Sequence, residues 1–184
     1  MNRVLDPGTG VLAAGVERDV LVRAIVYGVS YVTLVMGGLP YLFARWLGAG
    51  RAPGALVAAG ALLAAAGLAL FLWCIVLFVM GGKGTQSPLE PPTRLVINGP
   101  YRHVRNPMLL GNLVVLLGEA ALCSSRGILV LALLFFAACQ IILTRVEEPA
   151  LRRRFGRDYE DYARRVPRWF PRPGRALDGR RPGA

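Results

Sequence analysis

Long stretches without charged residues alternate with short polar segments along the chain. Residues 24–43 carry no charge, and residues 55–80 form a second charge-free run that is rich in Ala and Gly. A helix of about 20 apolar residues crosses a hydrocarbon core of about 30 Å. The pattern therefore predicts two membrane-spanning helices in the first half of the chain.

Two shorter apolar segments follow in the second half. Residues 107–123 are apolar apart from Asn112 and Glu119, and residues 127–146 follow after a turn-like polar sequence. A tight hairpin would make these the third and fourth spans. The prediction is an all-α integral membrane protein with about four transmembrane helices, folded as one domain over residues 1–184.

The polar segments are a loop over residues 81–106 and a basic tail over residues 147–184. In the tail, apolar side chains recur at close to helical spacing with arginines between them. This spacing predicts an amphipathic helix at the membrane surface. The apolar positions are Leu151, Phe155, Tyr159, Tyr162 and Val166.

The distribution of positive charge sets the orientation of the predicted spans. The chain has 22 Lys and Arg residues and a net charge of +11, and in a four-span arrangement all but Arg45, Arg51 and Arg126 fall on one side. The positive-inside rule makes that side cytosolic. Both termini and the loop 81–106 would then face the cytosol of a prokaryotic inner or plasma membrane. An anionic membrane surface accounts for the charge, and no folded soluble module remains to bind nucleic acid.

Two polar clusters share this predicted cytosolic face and form the candidate site. One includes Arg102 and Arg105 before the third apolar segment, and the other is Glu147-Glu148 after the fourth. A glutamate could receive a ligand ammonium group while an arginine receives a ligand carboxylate, a pair that can form two parallel hydrogen bonds. The alternative is that the glutamates stabilise the start of a helix at Pro149.

Other sequence features add one candidate functional residue and argue against a metal site and a Rossmann-type cofactor domain. Glu119 is the one acid inside an apolar segment, which makes it a functional candidate; the alternatives are a hydrogen bond to a neighbouring helix or a place near the outer interface. His103 and the two glutamates lack the spacing of metal ligands, so we predict no metal. No G-x-G-x-x-G motif follows a strand, which excludes a Rossmann-type cofactor domain.

An ordered set of short motifs runs through the second half of the chain, and this combination resembles the isoprenylcysteine carboxyl methyltransferase and phospholipid methyltransferase family. The resemblance implies a helical membrane enzyme that binds S-adenosylmethionine at the cytosolic face and admits a lipophilic substrate from the bilayer. The motifs are Leu95-Val96, Gly99-Pro100-Tyr101-Arg102-His103-Val104-Arg105-Asn106-Pro107-Met108-Leu109-Leu110-Gly111, Val146-Glu147-Glu148-Pro149, Phe155-Gly156, Tyr159, Tyr162 and Arg165-Val166-Pro167.

Carried onto this chain, the resemblance implies a methyl acceptor such as a prenylcysteine-like carboxylate, a lipid amine or a thiol. Arg105 would steer an anionic acceptor, and Glu119 or a glutamate of the pair would serve as a base for an amine. The chain departs from the family at Leu109 and His103, where aromatic residues are common. The implied cofactor-binding residues are Leu95, Val96, Tyr101, Arg105, Asn106, Pro107, Met108, Leu109, Glu147 and Glu148.

Two other functions remain open at this point. A nicotinamide-dependent membrane reductase of the steroid-reductase-like kind shares the Arg-x-Pro turn. It would be expected to have Asn-Tyr after the proline and an acid after the glycine, where this chain has Met108-Leu109 and Asn112. A non-catalytic membrane scaffold is the third possibility, and the absence of an aromatic residue at Leu109 is its best support.

Overall fold

The computed structural model describes residues 26, 28–77, 95 and 97–171, and these residues form helices and turns without any strand. Helix α1 is described over residues 28–47 and contains a π-helical turn at Leu34–Gly38. Helix α2 is Gly54–Leu77, and helix α3 is Pro107–Leu122. Helix α4 is Arg126–Phe155 with a π-helical turn at Leu143–Glu147, and helix α5 is Arg157–Arg165. The described part of the chain is therefore all-helical, as predicted.

Helices α2 and α3 pack closely because glycines face each other across their contact. A Cβ atom built on Gly67 would lie 2.6 Å from the carbonyl oxygen of Gly111, and one on Gly118 would lie 2.7 Å from that of Gly60. Close backbone approach through small residues is the usual way in which helices associate in lipid, where hydrophobicity supplies no driving force. Gly60 and Gly67, both in the Ala- and Gly-rich run of residues 55–80, lie at this contact.

Two of the described helices, α2 and α4, are long and apolar enough to cross a membrane. A third or less of each apolar window is buried within the protein, and leucines such as Leu62 and Leu133 are exposed on the outside. Helix α3 has 16 residues, about 24 Å at 1.5 Å per residue, which is short of a full crossing. The described residues thus support two spans, and the four-span arrangement remains a prediction.

The opposite ends of the helix bundle are chemically different. At one end, the turn after α3 meets the turn after α1: the amide of Gly50 donates to the carbonyl of Cys123 at 3.0 Å, and the Ser125 hydroxyl donates to the carbonyl of Gly48 at 2.9 Å. The other end, called the site end below, carries Arg105 at the start of α3 and Glu148 in α4. The predicted hairpin between the third and fourth apolar segments is present.

The tail does not form the single surface helix that its spacing predicts. Gly156 adopts a positive φ of 53°, which few other residues tolerate, and this separates α4 from α5. Tyr159 and Tyr162 of α5 are buried, and Leu151 and Phe155 of α4 pack against them. The apolar face of the tail therefore covers the site end of the protein itself, because that end offers apolar side chains to bury.

Candidate functional site

A buried carboxylate, Glu148, lies at the centre of the site end. Its side chain is only 6% exposed, and it accepts hydrogen bonds from Arg105 Nη1 to Oε1 at 3.1 Å, from Arg168 Nε to Oε1 at 2.7 Å and from Arg168 Nη2 to Oε2 at 3.0 Å. Arg152 Nη2 lies 3.7 Å from Oε2, one helical turn further along α4. The cluster Arg105–Glu148–Arg168 thus joins the two polar clusters that the sequence analysis placed on one face.

The π-helical turn in α4 explains why Glu148 faces inward. Its amide bonds to the carbonyl of Leu143, five residues back, in place of the usual four. The next residue, Pro149, has no N–H group, and its ring would clash with a regular helical turn before it. A π turn inserts one residue and shifts the faces of the helix. Glu148 is consequently buried while Glu147 remains exposed.

Glu147 differs from its neighbour in having no partner of its own. Among the described residues, it makes no ion pair or hydrogen bond through its side chain. In the sequence, Glu147 directly precedes Glu148 of the Arg105–Glu148–Arg168 cluster. It is therefore the carboxylate of the pair that can receive a positively charged ligand group without first breaking an internal ion pair.

The residues after α5 close over the start of α3, and residues 166–171 are called the strap below. The backbone amide of Arg105 donates to the carbonyl of Pro167 at 2.8 Å, and Asn106 Nδ2 donates to the carbonyl of Arg168 at 3.3 Å. Trp169 Nε1 donates to Gln140 Oε1 at 2.8 Å, and its ring packs 5.0 Å from that of Phe136. The strap is thereby fixed both to the arginine motif and to α4.

Two tyrosines of α5 complete the polar surroundings. Arg105 Nη1 lies 3.4 Å from the Tyr159 hydroxyl, and the Tyr162 hydroxyl donates to the carbonyl of Tyr101 at 2.8 Å. Burial raises the pKa of Tyr159; the nearby Glu148 raises this pKa further, and Arg105 lowers it. Burial also raises the pKa of Tyr162. The hydrogen bond to Glu148 raises the pKa of Arg168. At neutral pH both phenols are thus uncharged hydrogen-bonding groups and Arg168 is a fixed cation.

A cavity of about 300 Å³ opens beside this cluster. Four arginines are among its lining residues, so it favours an anionic or electron-rich group. Arg105 lies at its wall, and the Nε atom of Arg105 is buried without a hydrogen-bond partner. The lining consists of Arg105, Ala163, Arg164, Arg165, Val166, Pro167 and Arg168.

The structure separates the other predicted cofactor residues into different surroundings. Tyr101 and Met108 are buried in an apolar core cluster with Phe71, so their side chains pack between helices and do not face the cavity. Leu109 contacts the cluster around Trp169, and Leu95 contacts that around Tyr159; Pro107 is fully buried. Val96 lies outside the described residues.

Glu119 does not belong to this site. It lies twelve residues beyond Pro107 on α3, about 18 Å along the helix axis at 1.5 Å per residue. The two candidates of the catalytic prediction, Arg105 to steer an anionic acceptor and Glu119 as a base for an amine, therefore lie far apart along the bundle, and the role of Glu119 stays a prediction. The reason is the helical rise, which carries Glu119 to the opposite end of the bundle.

Three further residues of the site were not predicted from the sequence. Arg168 and Trp169 lie in the segment predicted as a basic tail and were not named as site residues, yet Trp169 is only 8% exposed, whereas Phe170 beside it is 75% exposed. Gln140 carried a usable signal, because a polar side chain in an apolar span usually has a partner. Among the described residues, no group of three or more His, Cys, Asp or Glu side chains could hold a metal ion.

Two curated relatives match this chain. It is 36% identical over 101 residues to the nickel-cobalt-cadmium resistance protein NccN of Alcaligenes xylosoxydans xylosoxydans, an alignment covering 55% of this chain and 43% of the relative. It is 32% identical over 141 residues to the cobalt-zinc-cadmium resistance protein CzcN of Cupriavidus metallidurans, covering 77% of this chain and 60% of that relative. The chain thus spans about two to three fifths of the length of these relatives. No solved structure matches it significantly.

The motifs at the site end fall largely within one known family. The profile of the phospholipid methyltransferases matches residues 55–158, which include α2, α3, Arg105 and both glutamates of the pair. The match covers more than half of the 184 residues. The chain belongs to the phospholipid methyltransferase family.

Proposed function

We propose that this protein transfers a methyl group from S-adenosylmethionine to a lipophilic acceptor at the cytosolic face of a membrane. The main support for this proposal is that Glu148 joins the arginine motif and the glutamate pair into one site, beside a cavity of about 300 Å³. Membership of the phospholipid methyltransferase family supports the reaction class. The two apolar helices α2 and α4 and the excess of positive charge support the location.

The residues present fit a ligand that carries both an ammonium group and a carboxylate. Glu147 is exposed and unpartnered among the described residues, so it can receive the ammonium group. Arg105 is among the residues that line the cavity, so its guanidinium group can donate to the carboxylate. Charge-assisted hydrogen bonds of this kind are about twice as strong as neutral ones.

Glu148 acts in this proposal by holding Arg105 and Arg168 in place. S-adenosylmethionine, when bound, supplies a methyl group on a positively charged sulfur, and the transfer disperses that charge. Such a reaction needs little acid–base help, so the protein contributes mainly by orienting the reactants and excluding water. The strap, which covers the start of α3, is well placed to exclude water from the cluster.

The substitution Arg105→Lys tests this arrangement. Lysine keeps the charge but loses the planar fork that contacts Glu148 and the cavity together. The wild-type protein, incubated with methyl-labelled S-adenosylmethionine and a membrane lipid extract, should transfer label to lipid. The variant should transfer at least about tenfold less label, which corresponds to one lost interaction of about 1.4 kcal/mol. Arg153→Lys, an exposed position on α4, is the matched control. Equal labelling by wild type and Arg105→Lys would contradict the proposed role of Arg105.

The names of the two relatives give the reaction a physiological setting, because both are named for resistance to metals. We propose that methylation of a membrane component contributes to tolerance of such metals in the host of this protein. The acceptor can then be sought among lipids whose labelling changes when cells are grown with cadmium or nickel.

A further inference from the structure

A pair of polar side chains lies inside the helix bundle, apart from the ion cluster. Asn112 of α3 is fully buried, and its Nδ2 donates to the hydroxyl of Tyr31 in α1 at 3.1 Å. The Oδ1 atom of Asn112 is also buried and has no hydrogen-bond partner. The Tyr31 hydroxyl accepts the bond from Asn112, so its own hydrogen is left to donate. Together the two side chains present one open acceptor and one open donor.

The pair is rigidly held. The ring of Tyr31 stacks on that of Phe71 in α2, with centroids 5.8 Å apart and planes 8° from parallel. Tyr31 also packs against the buried core cluster that contains Met36 and Met108. Met36 lies in the π-helical turn Leu34–Gly38 of α1, and π turns inside helices are frequent at functional sites. Side chains of three helices therefore surround the two polar groups.

The position of the pair links it to the proposed methyl-transfer site. Asn112 lies five residues beyond Pro107 on α3, about 8 Å along the axis from the start of the helix at the site end. Tyr31 is only partly buried, and Val29 and Leu34 near it on α1 are exposed apolar residues. A lipophilic molecule at the apolar outside of the bundle can therefore contact Tyr31, whereas Asn112, which has no exposed surface, is reached only when the side chains around it move.

We propose that Asn112 and Tyr31 bind a neutral hydrogen-bonding group of the lipophilic methyl acceptor, such as a hydroxyl or an amide. The ligand's O–H or N–H donates to Asn112 Oδ1, and its oxygen accepts from the Tyr31 hydroxyl. An unpaired acceptor in the hydrocarbon region is unfavourable until it is satisfied, since no bulk water reaches it. This inference rests on the proposed function for the identity of the ligand as the methyl acceptor.

The test uses two probes that differ by one hydrogen-bond donor: a long-chain prenyl alcohol and its methyl ether. Each competes with tritiated alcohol for the full-length protein in lipid nanodiscs. The wild-type protein should bind the alcohol at least about tenfold more tightly than the ether, because a site built to pair with a hydroxyl rejects the analogue that lacks it. Equal binding of the two probes, or binding of neither, overturns the inference.

Variants identify the residues responsible for the discrimination. Asn112→Leu should bring the alcohol-to-ether ratio close to one, and Tyr31→Phe should weaken both probes because it removes the donor that both can use. Tyr41→Phe is the matched control, since it removes the same hydroxyl from a tyrosine of α1 that is 66% exposed. A ratio in Asn112→Leu equal to that of the wild type overturns the assignment to Asn112.

A parallel titration with S-adenosylhomocysteine separates this inference from the proposed function. All three variants should bind S-adenosylhomocysteine as the wild type does, because the pair lies below the ion cluster and not in it. Discrimination between the probes without any binding of S-adenosylhomocysteine by the wild type would reject the methyltransferase proposal and leave the lipid site standing.

Discussion

Replacing Glu148 by Gln should lower the free energy of unfolding by about 3 kcal/mol. The amide keeps the shape of the carboxylate but removes the one negative charge that, among the described residues, contacts both Arg105 and Arg168. Removing one partner of a buried ion pair leaves an uncompensated charge and typically costs about 3–5 kcal/mol. We expect the lower end of that range because Arg168 is about one third exposed and keeps part of its hydration. Denaturant unfolding in detergent micelles measures the change.

Glu160→Gln is the control for that substitution. Glu160 is exposed on α5, so its loss should change the unfolding free energy by less than about 0.5 kcal/mol. The same Glu148→Gln protein should also transfer methyl groups poorly, because Arg105 loses its positioning partner. A Glu148→Gln variant as stable as the Glu160→Gln variant would mean that the cluster does not hold the site end together.

Replacing Gly67 by Ala should destabilise the protein by about 2 kcal/mol, within the range of about 1–3 kcal/mol for overpacking. The new Cβ would lie 2.6 Å from the carbonyl oxygen of Gly111 and 2.7 Å from the amide nitrogen of Val115. Both are backbone atoms that cannot rotate away, so α2 and α3 must separate. The higher helix propensity of Ala, worth up to about 1 kcal/mol, opposes this cost but does not cancel it.

Gly54→Ala provides the matched comparison for Gly67→Ala. A Cβ on Gly54, at the first residue of α2, meets no atom within 4 Å. The thermal midpoint of Gly54→Ala should therefore equal or exceed that of the wild type, while that of Gly67→Ala falls. If Gly67→Ala melted like Gly54→Ala, the close packing of α2 and α3 would not stabilise the bundle that carries Arg105 at the start of α3.

The helical class and the meeting of the two polar clusters could be predicted from the sequence, because both follow from apolar run lengths and charge placement. The hydrogen-bonding and ion-pair partners of each glutamate could not be predicted from the sequence. Whether Glu147 or Glu148 is buried depends on the π turn before Pro149, and a shift of one residue in helical register is not visible in composition or spacing.

What covers the apolar face of the tail could not be predicted from the sequence either. The alternation of arginines with Tyr159 and Tyr162 correctly predicted helical structure and an apolar face. It could not show whether lipid or protein covers that face, since both bury apolar side chains equally well. Contacts such as Arg168 with Glu148 and Trp169 with Gln140 link positions 20 and 29 residues apart. They depend on the turn at Gly156 and on the path of the strap.

Titration of the detergent-purified protein with S-adenosylhomocysteine tests whether the site end binds S-adenosylmethionine. The wild type should show saturable binding of S-adenosylhomocysteine and none of NADPH. Glu147→Gln should bind it at least about tenfold more weakly, because the ammonium group loses its carboxylate, while Glu160→Gln should bind it normally. Saturable binding of NADPH without S-adenosylhomocysteine, or an unchanged affinity in Glu147→Gln, would contradict the site proposed here.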